Sequence, residues 1–60
     1  MKNIQVFQKG DETCEIDGEL VSICHKSGWT IVKWREPGFK EVWENHFPDW
    51  NIDMVRISND

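Results

Sequence analysis

Two glycine-centred turn signals, Asp17-Gly18 and Ser27-Gly28, divide a run of strand-forming residues between Thr13 and Arg35. Asp-Gly between alternating apolar residues is the strongest short-range hairpin signal, and Ser-Gly marks turns in the same way. Centring a two-residue turn on Asp17-Gly18 sets Cys14 opposite Val21 and Ile16 opposite Glu19. Centring the next turn on Ser27-Gly28 sets Ile23 opposite Val32 and Val21 opposite Trp34. Opposed residues share a sheet face, and the side-chain period along a strand is two. One face therefore holds Cys14, Ile16, Val21, Ile23, Val32 and Trp34. The other holds Glu15, Leu20, Ser22, Cys24, Trp29, Ile31, Lys33 and Arg35. The first set is almost wholly apolar and the second is mixed. Two independently placed turns agree on one core face, so a three-stranded meander is expected.

The flanking segments complete one domain over residues 1–60. Asn3 to Gln8 has the alternation of a short strand, with Ile4 and Val6 on one side and Phe7 on the other. Ile52 to Ile57 reads as a closing strand, with Val55 and Ile57 on one face and Ile52 and Met54 on the other. Between them lies EPGFKEVWENHFPDW. There Phe39, Val42, Trp43, His46 and Phe47 recur at i, i+3, i+4, i+7 and i+8, the apolar stripe of an amphipathic helix. Pro37 suits a helix start and Pro48 a helix stop. The expected fold is thus α+β, a small antiparallel sheet in the order β-β-β-α-β. Its helix, residues 39–47, packs on the Val21/Ile23/Val32/Trp34 face. The alternative takes Pro37-Gly38 as a hairpin turn and the whole chain as a small SH3-like β-barrel.

A 60-residue chain has room for one thin core, and domains of this size are marginal without extra support. Four Trp and three Phe supply it here, because each buried aromatic removes on the order of 150–250 Å² from water. The net charge of −4 counts against binding driven by phosphate neutralisation. The charge is uneven, however. Asp11, Glu12, Glu15, Asp17 and Glu19 form an acidic stretch, whereas Lys26, Lys33, Arg35 and Lys40 stand against Glu36 alone between residues 26 and 40. No apolar run reaches the ~20 residues that span a bilayer, and the first residues lack a signal-type apolar core. A cytoplasmic protein without membrane attachment is the expectation.

Residues that carry chemistry are sparse. Cys14 and Cys24 fall on opposite sheet faces in this register, whereas a disulfide needs Cβ atoms only ~4 Å apart, so both are expected as free thiols. Cys14, Cys24, His25 and His46 lack the spacing of a zinc site, and no metal or other cofactor is expected. No nucleophile–base pair, phosphate loop or metalloprotease motif occurs, so the chain is expected not to be an enzyme and to have no catalytic residues.

What remains is the mixed sheet face. Trp29, Ile31, Lys33, Arg35 and Leu20 form a candidate partner-binding surface, since uncovered apolar patches often mark protein contacts. The acidic turn with Asp11, Glu12 and Glu15 is a second candidate surface. A protein-binding adaptor or inhibitor follows, acting on an unidentified protein partner or as a homodimer. The expected helix followed by WNIDMVRIS resembles the phage-encoded inhibitors of host RNA polymerase, which implies an inhibitor of a host enzyme. The competing expectation is an SH3-like nucleic-acid or peptide reader, with Trp29, Lys33, Arg35 and Lys40 as a basic-aromatic surface. The acidic total counts against the nucleic-acid form.

Overall fold

The computed structural model describes residues 2–59. It contains six strands: β1 Lys2–Gln8, β2 Glu12–Asp17, β3 Glu19–Lys26, β4 Trp29–Arg35, β5 Trp43–Pro48 and β6 Ile52–Asn59. A 3-10 turn, Asp49–Asn51, joins the last two. The strands form two three-stranded antiparallel sheets, β2-β1-β6 and β3-β4-β5. The fold is all-β rather than α+β.

The expected helix over 39–47 does not form. The chain instead leaves β4 through an open connection and returns as β5, with Trp43, Asn45 and Phe47 opposite Trp34, Val32 and Thr30. Strand β5 alternates cleanly: Trp43, Asn45 and Phe47 share one face, and Glu44, His46 and Pro48 share the other. The helical stripe was a coincidence of two unrelated groups. Phe39 and Val42 precede the strand and stand exposed, so they never had to share a face with Phe47. The resemblance to phage inhibitors rested on a helix before WNIDMVRIS, and it loses that basis.

The second correction concerns Asp17-Gly18. These residues do not turn a hairpin, and β2 does not pair with β3. Strand β2 pairs with β1 instead, Ile4 opposite Ile16 and Val6 opposite Cys14. At Gly18 the chain bends out of one sheet and enters the other. A Cβ built on Gly18 would lie 2.6 Å from Cε3 of Trp34 and 2.9 Å from the carbonyl oxygen of Arg35. Only glycine leaves room for the indole to close the corner.

The Ser27-Gly28 hairpin forms as expected, with Ser27 and Gly28 both at positive φ. Ile23 stands opposite Val32 and Cys24 opposite Ile31. The register then slips between Leu20 and Ser22, which puts Leu20, and not Val21, opposite Trp34. This β-bulge leaves Val21 exposed and turns Leu20 inward against the core. Leu20 is therefore not part of the outer face on which the sequence reading placed it.

The core lies between the sheets. Ile4, Val6 and Ile16 from one sheet and Val32 and Phe47 from the other are buried. Leu20, Ile23, Trp34, Ile52 and Val55 pack around them. The apolar face of β3 and β4 meets a second sheet where a helix was expected. The chain passes from β2 into β3 through the bend at Gly18, and a 3-10 turn precedes the last strand. Among the described residues, no helix is long and apolar enough to cross a membrane.

Candidate interaction surface

Strand registers define the outer face of β3-β4-β5 row by row. Lys26, Trp29 and Pro48 form one row, Cys24, Ile31 and His46 the next, and Ser22, Lys33 and Glu44 a third. Trp29, Ile31 and Lys33 thus stand in line on the middle strand, each flanked by one residue from either neighbour. The centre is apolar and the ends are cationic. A shallow depression of about 470 Å³, open to solvent, covers this region and is lined by Trp29, Ile31, Cys24, Lys26, Lys33 and His46, among others. Trp29 is 45% exposed.

Charged groups on this face are partly committed. Arg35 Nε lies 3.9 Å from Glu19 Oε2, and His46 Nε2 lies 3.1 Å from Glu44 Oε1. Lys26 and Lys33 have no carboxylate within ion-pair distance among the described residues. Three cations (Lys26, Lys33, Arg35) against two carboxylates (Glu19, Glu44) make this face +1, in a chain whose net charge is −4. Much of the acidity lies on the opposite sheet. Glu15 and Asp17 line the outer face of β2, where Gln5 Nε2 donates to Glu15 at 3.0 Å and Asn3 Nδ2 donates to Asp17 at 2.7 Å. Asp11 is exposed in the β1–β2 turn, where Gly10 and Asp11 both take positive φ, and Glu12 is exposed at the start of β2.

The candidate residues named from sequence are therefore not one site. Trp29, Ile31, Lys33 and Arg35 share the outer face of β3-β4-β5. Asp11, Glu12 and Glu15 belong to the other sheet and its turn, and Leu20 lies inside. Lys40 sits exposed in the β4–β5 connection. Lys26 and His46 join this face as well, opposite Trp29 and Ile31. Reading W-E-N-H-F as a strand would have placed His46 and Glu44 beside Ile31 and Lys33.

Beneath this face, Thr30 is the buried polar residue, at 3% exposure. Its hydroxyl donates to Asp49 Oδ1 and contacts His25 Nδ1 at 3.0 Å. A hydroxyl has one proton, and a carboxylate only accepts. With the hydroxyl proton directed at Asp49, a hydrogen bond between Thr30 and His25 requires the imidazole to donate its Nδ1–H. The three residues resemble a nucleophile–base–acid set, but the Thr30 proton points to the acid and away from the imidazole. A base cannot activate a hydroxyl that way. The arrangement is a clasp between the β3–β4 hairpin and the 3-10 turn, reinforced by the Asp49 N–H donating to the Gly28 carbonyl at 2.9 Å.

Cys14 faces the core on β2, and Cys24 is exposed on β3. They are free thiols in different sheets. Among the described residues, no three His, Cys, Asp or Glu side chains come together as a metal site. No known protein family, curated protein or solved structure matches this chain.

Proposed function

We propose that the chain is a small protein-binding module, an adaptor or inhibitor without catalysis of its own, working in the cytoplasm. Its contact surface is the outer face of β3-β4-β5. The observation that supports this best is the open depression centred on Ile31, with a half-exposed tryptophan beside it and cations at its ends. Tryptophan and arginine are the residue types most enriched where interface energy concentrates, and such anchors sit in pockets ringed by polar groups. A second copy of the chain is one admissible partner.

Ile31→Glu tests the reading, because it places a carboxylate where partner atoms would be desolvated. Ile31 is partly buried, so a denaturant titration must accompany the binding assay to separate lost association from lost stability. Circular dichroism should report a folded variant, while affinity capture from native lysate and sedimentation should report lost association. A folded variant that keeps every association of the parent overturns the proposal.

A second reading takes the same surface as a single-strand nucleic-acid reader, since Trp29 stands level with Lys26 and four residues from Lys33 on one face. Salt separates the two. Affinity for a nucleic acid should fall steeply and log-linearly with salt.

A further inference from the structure

We propose that the outer face of β3-β4-β5 takes an extended acidic segment of a partner protein, with an apolar residue midway between two carboxylates; this rests on the protein-binding reading above. The spacing follows from the rows. Lys26 stands level with Trp29, and Lys33 lies four residues further along β4. At roughly 3.3 Å per residue and roughly 4.8 Å between strands, the two lysines are about 13 Å apart along the strand and one strand apart across it. Ile31 sits halfway, flanked by Cys24 and His46.

An extended chain repeats its side chains on one face every second residue. Its residues i, i+2 and i+4 therefore cover about the same 13 Å. Laid along β4, such a segment sets a carboxylate at Lys26, an apolar side chain over Ile31 and a carboxylate at Lys33. The pattern is acidic–x–apolar–x–acidic.

Charge selects this occupant over the others. Among the described residues, Lys26 and Lys33 have no carboxylate within ion-pair distance, and Glu44, the carboxylate in this depression, lies 3.1 Å from His46 Nε2. A basic segment would meet like charges at Lys26 and Lys33, against Glu44 as the one carboxylate lining the depression. A nucleic acid would present a continuous phosphate track to a chain of net charge −4, to which this face offers, among the described residues, two unpaired cations. A short acidic segment needs only the two. Interface charges of this kind set specificity and association rate more than raw affinity.

The test uses the full chain, labelled with ¹⁵N, and synthetic peptides with the face pattern Glu-Ser-Leu-Ser-Glu, its Lys-Ser-Leu-Ser-Lys counterpart and an all-serine-centred Glu-Ser-Ser-Ser-Glu. A thymidine oligonucleotide is the fourth probe. The acidic, leucine-centred peptide should shift the Trp29 indole and Ile31 signals and bind at least about tenfold more tightly than the other peptides. The double variant Lys26→Glu/Lys33→Glu should reverse the order and prefer the lysine peptide. Failure of that reversal, or tighter binding of the oligonucleotide, overturns the inference. If lysate capture depends on Ile31 but not on the two lysines, protein binding stands and the acidic segment falls. If it depends on neither, both fall.

Discussion

Gly18→Ala is the most direct probe of how this chain closes. The β2–β3 path bends where the Trp34 indole covers Gly18, so the added methyl would sit 2.6 Å from Cε3, 3.2 Å from Cζ3 and 2.9 Å from a backbone oxygen. The ring can tilt only at the cost of its stack on Trp43, at 6.4 Å between centroids, and of its 2.8 Å hydrogen bond to Asn45. Arg35 pairs with Glu19 at the end of β4, so moving its carbonyl shifts strand backbone. Overpacking of this kind costs about 1–3 kcal/mol. At ~0.05–0.15 kcal/mol per residue a 60-residue domain holds only about 3–9 kcal/mol, so the substitution removes a large share of the total. With a urea slope near 1 kcal/mol/M for a domain this small, the unfolding midpoint should fall by about 1–3 M. Trp34→Leu removes the two nearest ring atoms. The double variant should therefore lose less than the sum of the singles, by about 1 kcal/mol, as residues in contact do. An unchanged midpoint for Gly18→Ala, or strict additivity with Trp34→Leu, would refute the corner geometry.

Trp34→Ala should cost about 3–4 kcal/mol by denaturant titration, since it empties the corner and leaves Asn45 without its donor; a loss under ~1 kcal/mol would place the ring outside the core. Thr30→Val should cost only about 1 kcal/mol, because His25 and Asp49 can both turn to water. It should also speed amide exchange in the Asp49–Asn51 turn, and equal exchange in both proteins would show that the clasp holds nothing. In the parent, nitrogen chemical shifts should show His25 carrying a proton on Nδ1. Reductant should leave the melting temperature unchanged, and denatured protein should titrate as two free thiols; a fall in melting temperature would mean that Cys14 and Cys24 are bridged.

The Ser27-Gly28 hairpin and the outward line of Trp29, Ile31 and Lys33 were legible because both are local. A turn and a two-residue period need no knowledge of distant partners. Asp17-Gly18 was not legible in this sense. A glycine after aspartate reads alike whether the chain reverses or merely bends, and the choice between them was made by Trp34 closing over the Cα and by β1 pairing with β2. Neither is encoded near residue 18. In β5 the obstacle was Asn45. An inward polar residue between Trp43 and Phe47 hides the alternation, and it is tolerated because the Trp34 indole N–H donates to it. The bulge at Val21 moved Leu20 inward for a similar reason, since strand register past a bulge depends on the partner strand.

The apolar residues of the β4–β5 connection and those of β4 differ in how firmly their backbones are held. Phe39 and Val42 are exposed in the β4–β5 connection, outside any strand. Trp29 and Ile31 stand on β4, hydrogen-bonded on both sides to β3 and β5. The residue between them, Thr30, is buried and clasped to Asp49 and His25, so the strand is also held from behind. Binding must offset the entropy of every group it orders, and a surface already fixed by two ladders and a buried clasp has little left to order. Sites on strands also hold their side chains more tightly than sites on loops. The same physics that keeps Thr30 inward therefore keeps Trp29 and Ile31 outward at a fixed spacing from Lys26 and Lys33. A contact that reads spacing can be built on β4; on the β4–β5 connection the partner would have to supply that order itself.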